Sequence, residues 1–216
     1  MLTNLLVGSQ YPTYQVFVSF FVSCLITALL MPSFIRLMRK DGIGQQVRAD
    51  GPQTHLVKQG TPTMGGVIII AGMILTTVLF ARWTPDLILC VAATIATGLL
   101  GLLDDVESVS HGRSLGLTPS QKMLGLIVIS VSFCLLAVNW VGVPPTITFP
   151  GGFTLDLGVL GFNIGGVSVP WLYLIFVFLL LAGLSNAVNL TDGLDGLAGG
   201  TVMVVMLVMS MVAFSY

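Results

Sequence analysis

The sequence has little charge: only 8% of its 216 residues are Asp, Glu, Lys or Arg, against about 25% in an ordinary soluble domain. Apolar residues make up 55% of the chain, so there are too few charged side chains to cover a water-exposed surface. The net charge of -1 offers no basic surface to a polyanion, which excludes nucleic acid as an expected partner. These deficits favour a protein whose solvent is the lipid bilayer.

Cysteine is also scarce, and the nucleotide-binding signature of P-loop proteins is missing. Neither a CxxC spacing nor a paired framework is present, so we expect the thiols to pack as small apolar side chains. The three cysteines, each within an apolar run, are Cys24, Cys90 and Cys134. No GK[ST] sequence follows the glycines of the first polar loop, which excludes a Walker-type phosphate loop there.

Six apolar stretches are long enough to be transmembrane helices, which need about 20 residues each. They lie near residues 14–37, 64–80, 87–103, 123–141, 169–187 and 197–214. The sequence therefore predicts an all-α polytopic membrane protein that forms a single integral membrane domain over residues 1–216.

The basic residues predict the orientation of these helices. Seven of the eight flank or fill the loops after the first and third spans, and only Arg82 lies on the opposite face. Because Lys and Arg accumulate in cytoplasmic loops, we expect those two loops on the cytoplasmic side. On the other side, two alternating runs surround Pro150-Gly-Gly152 within a segment of about 142–168, which predicts a small external β-hairpin.

Acidic residues cluster at the predicted cytoplasmic ends of two spans. Asp104 and Asp105 end the third span, and a second group follows the fifth span, where Gly193 and Gly196 favour a break in the helix. The second group recurs at every third position: Asn186, Asn189, Asp192 and Asp195. Oxygen ligands of this kind suit Mg²⁺ held together with substrate phosphates, whereas helix capping alone is the simpler alternative.

The loop before the second span is polar and rich in glycine, from Asp50 to Gly66. Such a segment can present backbone N–H groups and Lys58 to an anion at a helix start. A solvated connector is the alternative. Together the acidic clusters and this loop indicate phosphate chemistry at the membrane surface.

Three motifs resemble those of the phospho-N-acetylmuramoyl-pentapeptide transferase (MraY) family. They are Gly60-Thr-Pro-Thr-Met-Gly-Gly66, Leu102-Leu-Asp-Asp105 and Asn186-Ala-Val-Asn-Leu-Thr-Asp-Gly-Leu-Asp-Gly-Leu-Ala198. The last motif is typical of the wider superfamily of polyprenyl-phosphate sugar-phosphate transferases, and the first points to this member. The resemblance implies Mg²⁺-dependent transfer of phospho-N-acetylmuramoyl-pentapeptide from its UDP carrier to undecaprenyl phosphate. The products are lipid I and UMP, formed at the cytoplasmic face of the bacterial cell membrane for peptidoglycan synthesis.

The resemblance also implies a role for each matched residue. Asp104 and Asp105 take the positions of the catalytic acidic pair, and Asn186 and Asp192 take those of the Mg²⁺ ligands. The residues implied in substrate contacts are Lys58, Thr63, Lys122, Asn189, Asp192 and Asp195.

Members of this family have ten transmembrane helices, and the chain ends at Tyr216, before a later Phe-Met-Gly-Asp motif whose aspartate holds Mg²⁺. We therefore expect a C-terminally truncated chain with six of those helices, inactive alone. Another polyprenyl-phosphate sugar-phosphate transferase and a membrane transporter are the alternatives, although a transporter would place its acids nearer the bilayer midplane. Association as a homodimer is left open.

Overall fold

The computed structural model describes residues 12–40, 62–111, 116–149, 151–193 and 196–215. They belong to two compact units, Met1–Val143 and Pro144–Tyr216, and each unit is described by itself. The single domain expected over residues 1–216 stays a prediction.

The described part of the first unit is helical. Its helices are α1 (Pro12–Lys40), α2 (Gly66–Phe80), α3 (Pro85–Ser110) and α4 (Pro119–Leu136), and a π-helical turn at Ala137–Val141 extends α4. Proline at the first position of α3 and of α4 fits the helix start, where the missing N–H would have no partner. Thr118 and Gln121 cap α4 reciprocally, each side chain bonding to the other residue's backbone N–H.

The second unit combines two β-hairpins with two helices. Strand β1 (Thr146–Thr148) pairs antiparallel with β2 (Thr154–Asp156), and β3 (Phe162–Ile164) pairs antiparallel with β4 (Val167–Val169). Helices α5 (Trp171–Thr191) and α6 (Leu197–Ser215) follow. The predicted hairpin around Pro150-Gly-Gly152 is confirmed as β1–β2. The same segment contains a second hairpin, in which Gly165 and Gly166, with φ of 56° and 89°, form another tight turn.

A helix forms at each of the six predicted spans. Four helices are long and apolar enough to cross a membrane, namely α1, α3, α4 with its π-helical extension, and α5. The other two, α2 and the described apolar part of α6 (Leu197–Ala213), are apolar but shorter. At 15 residues and 1.5 Å per residue, α2 spans about 22 Å of a hydrocarbon core about 30 Å thick.

The buried core of the first unit follows one face of α4. Leu126, Ser130, Cys134 and Ala137 are each at most 4% exposed, and their spacing of three to four residues places them on one side of the helix. The Ser130 hydroxyl donates to the Leu126 carbonyl at 2.7 Å, so this buried polar group is satisfied within its own helix, as an apolar surrounding demands. Most large apolar side chains elsewhere are exposed, as expected for surfaces that face lipid.

Candidate functional site

The candidate site lies in the first unit. There the N-terminal ends of α2 and α4 meet the C-terminal end of α3. Hydrogen bonds join the start of α2 to the last turns of α3, and the last turns of α3 to the start of α4. Asp104 and Asp105 stand at the centre of this junction, and both side chains are half-buried. The structure thus brings the acidic pair together with two of the predicted substrate-binding residues, Thr63 and Lys122.

Asp104 is held by the segment that leads into α4. The backbone N–H of Leu117 donates to Asp104 Oδ1 at 2.8 Å, and Lys122 Nζ forms an ion pair with Asp104 Oδ2 at 3.3 Å. The two charged side chains are only 23% and 20% exposed, so water screens their attraction less than on an open surface. Both carboxylate oxygens of Asp104 are therefore engaged, and the carboxylate fixes where α4 begins relative to α3.

Gly116 allows the segment before α4 to lie close against Asp104. A Cβ atom at position 116 would stand 2.0 Å from the backbone oxygen of Asp104 and 2.6 Å from its Oδ1. No side chain fits in that space, so the chain can pass over the end of α3 and present the Leu117 N–H only if residue 116 is glycine.

Asp105 contacts the segment that leads into α2. Thr63 Oγ1 donates to Asp105 Oδ2 at 3.2 Å, across a sequence separation of 42 residues. The next residue, Met64, has a φ of 67°, which is uncommon for a side chain of its size. Such a conformation costs on the order of 1–3 kcal/mol and is found at binding and catalytic sites, where surrounding contacts hold it in place. The backbone turn at Met64 lies between Thr63, which contacts Asp105, and Gly66, where α2 begins.

The second predicted cluster belongs to the second unit. Asn186 and Asn189 lie in the last turns of α5, and Asp192 is the first residue after that helix. The Asn186 side chain is half-buried and donates through Nδ2 to the Ala182 carbonyl at 2.8 Å, whereas Asn189 and Asp192 are exposed. The predicted break between the last two spans is confirmed, because α5 ends before Asp192 and Gly196 has a φ of 79°.

Two predicted site residues, Lys58 and Asp195, lie outside the described residues. Within the described part of the chain, no three His, Cys, Asp or Glu side chains are grouped as they would be in a closed metal site. An open Mg²⁺ site does not require such a group, since this ion commonly uses one or two protein oxygens together with water and substrate phosphates.

The sequence reasoning missed the two positions that hold Asp104 from the loop, Gly116 and the Leu117 N–H. Gly116 lies two residues before the capping box of Thr118 and Gln121, and the spacing of that box, with proline between, was the available signal for where α4 begins. Chemically, the junction offers half-buried carboxylates beside an ammonium group, an arrangement that can orient an anionic substrate and accept a proton at the end of apolar helices.

Comparison with known proteins identifies two matching regions. The model of glycosyl transferase family 4 matches residues 87–216, which include both acidic clusters. The phospho-N-acetylmuramoyl-pentapeptide-transferase signature 1 matches residues 58–70, which include Lys58 and Thr63.

Relatives with the name phospho-N-acetylmuramoyl-pentapeptide-transferase include those of Bacillus pumilus and Corynebacterium kroppenstedtii. The first is 44% identical over 182 residues, covering 82% of this chain and 52% of the relative. The second is 39% identical over 207 residues, covering 89% of this chain and 56% of the relative. The chain therefore spans about half the length of the curated relatives it matches. Together with the four long apolar helices, these relatives indicate a membrane protein.

Proposed function

The chain belongs to glycosyl transferase family 4, and we propose that it supplies part of the active site of a phospho-N-acetylmuramoyl-pentapeptide transferase. The reaction is transfer of the phospho-sugar from a UDP carrier to undecaprenyl phosphate. One observation carries the proposal: Thr63, within the matched signature, donates a hydrogen bond to Asp105 of the acidic pair. The signature segment and the acidic pair thus form one polar junction at the end of the helices.

In this reaction an oxygen of the lipid phosphate attacks the phosphorus attached to the sugar. The bond from that phosphorus to the bridging oxygen of the diphosphate breaks, and UMP leaves with the bonding electron pair. Negative charge gathers on the transferring group, so fixed cations and correctly placed donors stabilise the transition state more than the ground state. Lys122 is the described cation at the junction whose position is fixed by an ion pair.

The contacts of the two aspartates favour different roles for them. Asp104 bonds to the Leu117 N–H and to Lys122, so we assign it to positioning the lysine and the start of α4. We assign to Asp105 the role of orienting the lipid phosphate and accepting its proton. Thr63 fixes the orientation of the Asp105 carboxylate, which an effective general base requires.

Mg²⁺ fits the donor chemistry of the second cluster, which consists of amide and carboxylate oxygens. Asn186 and Asp192 are the residues that would hold it, with Asn189 and Asp195 contacting the nucleotide. Because Asn186 donates through Nδ2 to Ala182, the orientation of its amide is fixed and Oδ1 is its ligating atom. When bound, Mg²⁺ would neutralise charge on the diphosphate of the carrier.

The bacterial cytoplasmic membrane is the expected location, with the junction on the cytoplasmic face. Arg39 and Lys40 lie in the last turn of α1, and Lys122 lies in the first turn of α4. Basic residues on this side of the helices agree with the distribution of Lys and Arg in cytoplasmic loops. Association as a homodimer stays a prediction.

A chimeric enzyme tests the proposal. In it, this chain replaces the matched segment of the Bacillus pumilus relative, which supplies the other half of the length. We expect Mg²⁺-dependent release of UMP and formation of lipid I from the UDP-linked substrate and undecaprenyl phosphate. Asp105→Asn should lower the rate by a factor of about 100 or more, a loss typical of a general acid or base, and Glu107→Gln, a nearby exposed carboxylate, serves as the control.

The chimera also separates this proposal from its nearest alternative. Release of UMP with a different UDP-sugar, but none with UDP-linked muramoyl-pentapeptide, would assign the chain to another polyprenyl-phosphate sugar-phosphate transferase. A well-expressed Asp105→Asn chimera that forms lipid I at the parental rate would refute the role of Asp105.

A further inference from the structure

The first β-hairpin is amphipathic. Ile147 pairs with Leu155, and the backbone N–H of Phe149 donates to the Phe153 carbonyl just beyond the strands. Because side chains alternate along a strand, these four apolar residues lie on one face. The rings of Phe149 and Phe153 are 5.9 Å apart, and Phe153 is 65% exposed.

The other face of the same hairpin is polar. Thr148 and Thr154 form a cross-strand pair with their hydroxyl oxygens 3.2 Å apart, and Thr146 pairs with Asp156. The hairpin therefore has an apolar face and a polar face. All three residues of β2 are exposed, and in β1 Thr148 is exposed while Thr146 and Ile147 are half-buried.

The second hairpin repeats this arrangement. Phe162 pairs with Val169 and Ile164 with Val167 on one face, whereas Asn163 pairs with Ser168 on the other. Phe162 is 50% exposed and Ile164 is 65% exposed. Two consecutive hairpins with exposed apolar faces, here called the hairpin faces, need an apolar environment that the described residues do not provide.

The position and charge of these hairpins identify that environment. Strand β4 ends at Val169, two residues before the start of the membrane helix α5 at Trp171. A strand of three residues extends about 10 Å, which is comparable to the polar interface of about 5–8 Å on each side of the hydrocarbon core. Trp171 lies at this boundary, where tryptophan is enriched in membrane proteins.

Residues 142–170 include one charged residue, Asp156, and no Lys or Arg. Asp156 belongs to the polar face of the first hairpin, so no charge interrupts either apolar face. A surface made for a water-soluble partner would carry a polar, charged rim, whereas an interfacial lipid-binding surface needs apolar and aromatic side chains on one side.

We propose that the two hairpins lie in the bilayer interface with the hairpin faces against lipid, so that they anchor the segment between α4 and α5 to the membrane surface. The occupant of these faces is phospholipid. This inference depends on neither the catalytic proposal nor the orientation of the chain. The surface that contacts lipid would extend from α5 onto the adjoining hairpins.

Site-specific fluorescence tests the inference in the full chain. A variant with its three cysteines replaced by alanine receives one new cysteine, at Phe153 or Ile164 on the hairpin faces, or at Thr154 or Asn163 as matched controls on the polar faces. Each is labelled with an environment-sensitive dye and placed, one chain per disc, in nanodiscs of phosphatidylethanolamine and phosphatidylglycerol. We expect a phospholipid with a shallow nitroxide to quench positions 153 and 164 several-fold more strongly than 154 and 163, and aqueous iodide to show the reverse order.

Two results would overturn the inference. Equal quenching on both faces would mean that the hairpins stand in water. Protection from iodide at 153 and 164 without quenching by the nitroxide lipid would mean that protein covers the hairpin faces, and one chain per disc excludes a second copy as the source.

A second measurement avoids substitutions in the hairpins. The unaltered chain, in nanodiscs that contain a photoactivatable diazirine phospholipid, should acquire lipid adducts at Phe149, Phe153 and Ile164 after illumination. Adducts on α5 without any on the hairpins would contradict the proposal.

Discussion

Replacing Gly116 by alanine should damage the polar junction through a single methyl group. The new Cβ would stand 2.0 Å from the backbone oxygen of Asp104, 2.6 Å from its Oδ1 and 2.8 Å from its carbonyl carbon. Real Cβ atoms essentially never approach within 3.0 Å, and the nearest atom belongs to the helix backbone, which cannot rotate away. The segment before α4 must therefore move by about 1 Å, as overpacked positions do.

This movement has two costs. Overpacking typically costs about 1–3 kcal/mol, and the hydrogen bond from the Leu117 N–H to the Asp104 carboxylate contributes about 1.5–3 kcal/mol when its acceptor is charged. Because the loop can relax and Asp104 is 23% exposed, we expect a loss of about 2–4 kcal/mol in the free energy of unfolding. In the chimeric enzyme, a shift of 1 Å at Lys122 should lower the rate of lipid I formation by a factor of about 100.

Gly101→Ala is the matched control, because Gly101 lies in the same helix as Asp104 and an added Cβ there meets nothing within 4 Å. Unfolding of both variants in mixed detergent micelles gives the free energies, and the chimera gives the rates. The reasoning would be refuted if Gly116→Ala matched Gly101→Ala in both measurements.

Three further predictions use the same junction and the membrane orientation. Lys122→Met should lower the free energy of unfolding by about 1–2 kcal/mol, because the partly buried Asp104 loses its cation. Lys122→Arg should retain most of the stability. Equal free energies of unfolding for Lys122→Met and the parent chain would contradict the ion pair. Thr63→Val should lower lipid I formation by the chimera by a factor of about 10, equivalent to the loss of one orienting hydrogen bond, and Thr63→Ser should restore it. A valine variant with the parental rate would show that the bond is dispensable. In a chain without its native cysteines, an impermeant thiol reagent applied to intact cells should label Asn163→Cys but not Ser120→Cys, and the reverse pattern would invert the proposed orientation.

The polar cluster at the end of α5 shows what residue spacing could not predict. Gly193 and Gly196 predicted a helix break that would gather the polar groups recurring at every third position from Asn186 to Asp195. The break occurs at Asp192, but Asn186 and Asn189 both remain helical. Glycine marked the turn correctly, since Gly196 has a φ of 79°, which glycine adopts with ease.

The second hairpin was readable from the sequence but was not predicted. Its strands alternate apolar and polar residues around Gly165-Gly166, which is a strong signal for a two-residue turn. The first hairpin was predicted from the same kind of alternation around Pro150-Gly-Gly152. A short-range pattern determines such a hairpin because its contacts are only a few residues apart.

The sequence alone determined the membrane helices, because the length of an apolar run and the thickness of a bilayer are both fixed quantities. It also determined the acidic pair in the last two turns of α3 and the turn before α6. Only the tertiary structure decided that Asp104 bonds to Leu117 and Lys122 while Asp105 bonds to Thr63. Adjacent aspartates are chemically alike, so the sequence does not say which partner each one contacts. The partners depend on where the segments before α2 and α4 pack against the last turns of α3. The close approach of Gly116 to Asp104 could not be predicted from hydropathy or residue spacing, because it depends on how the segment before α4 packs against α3.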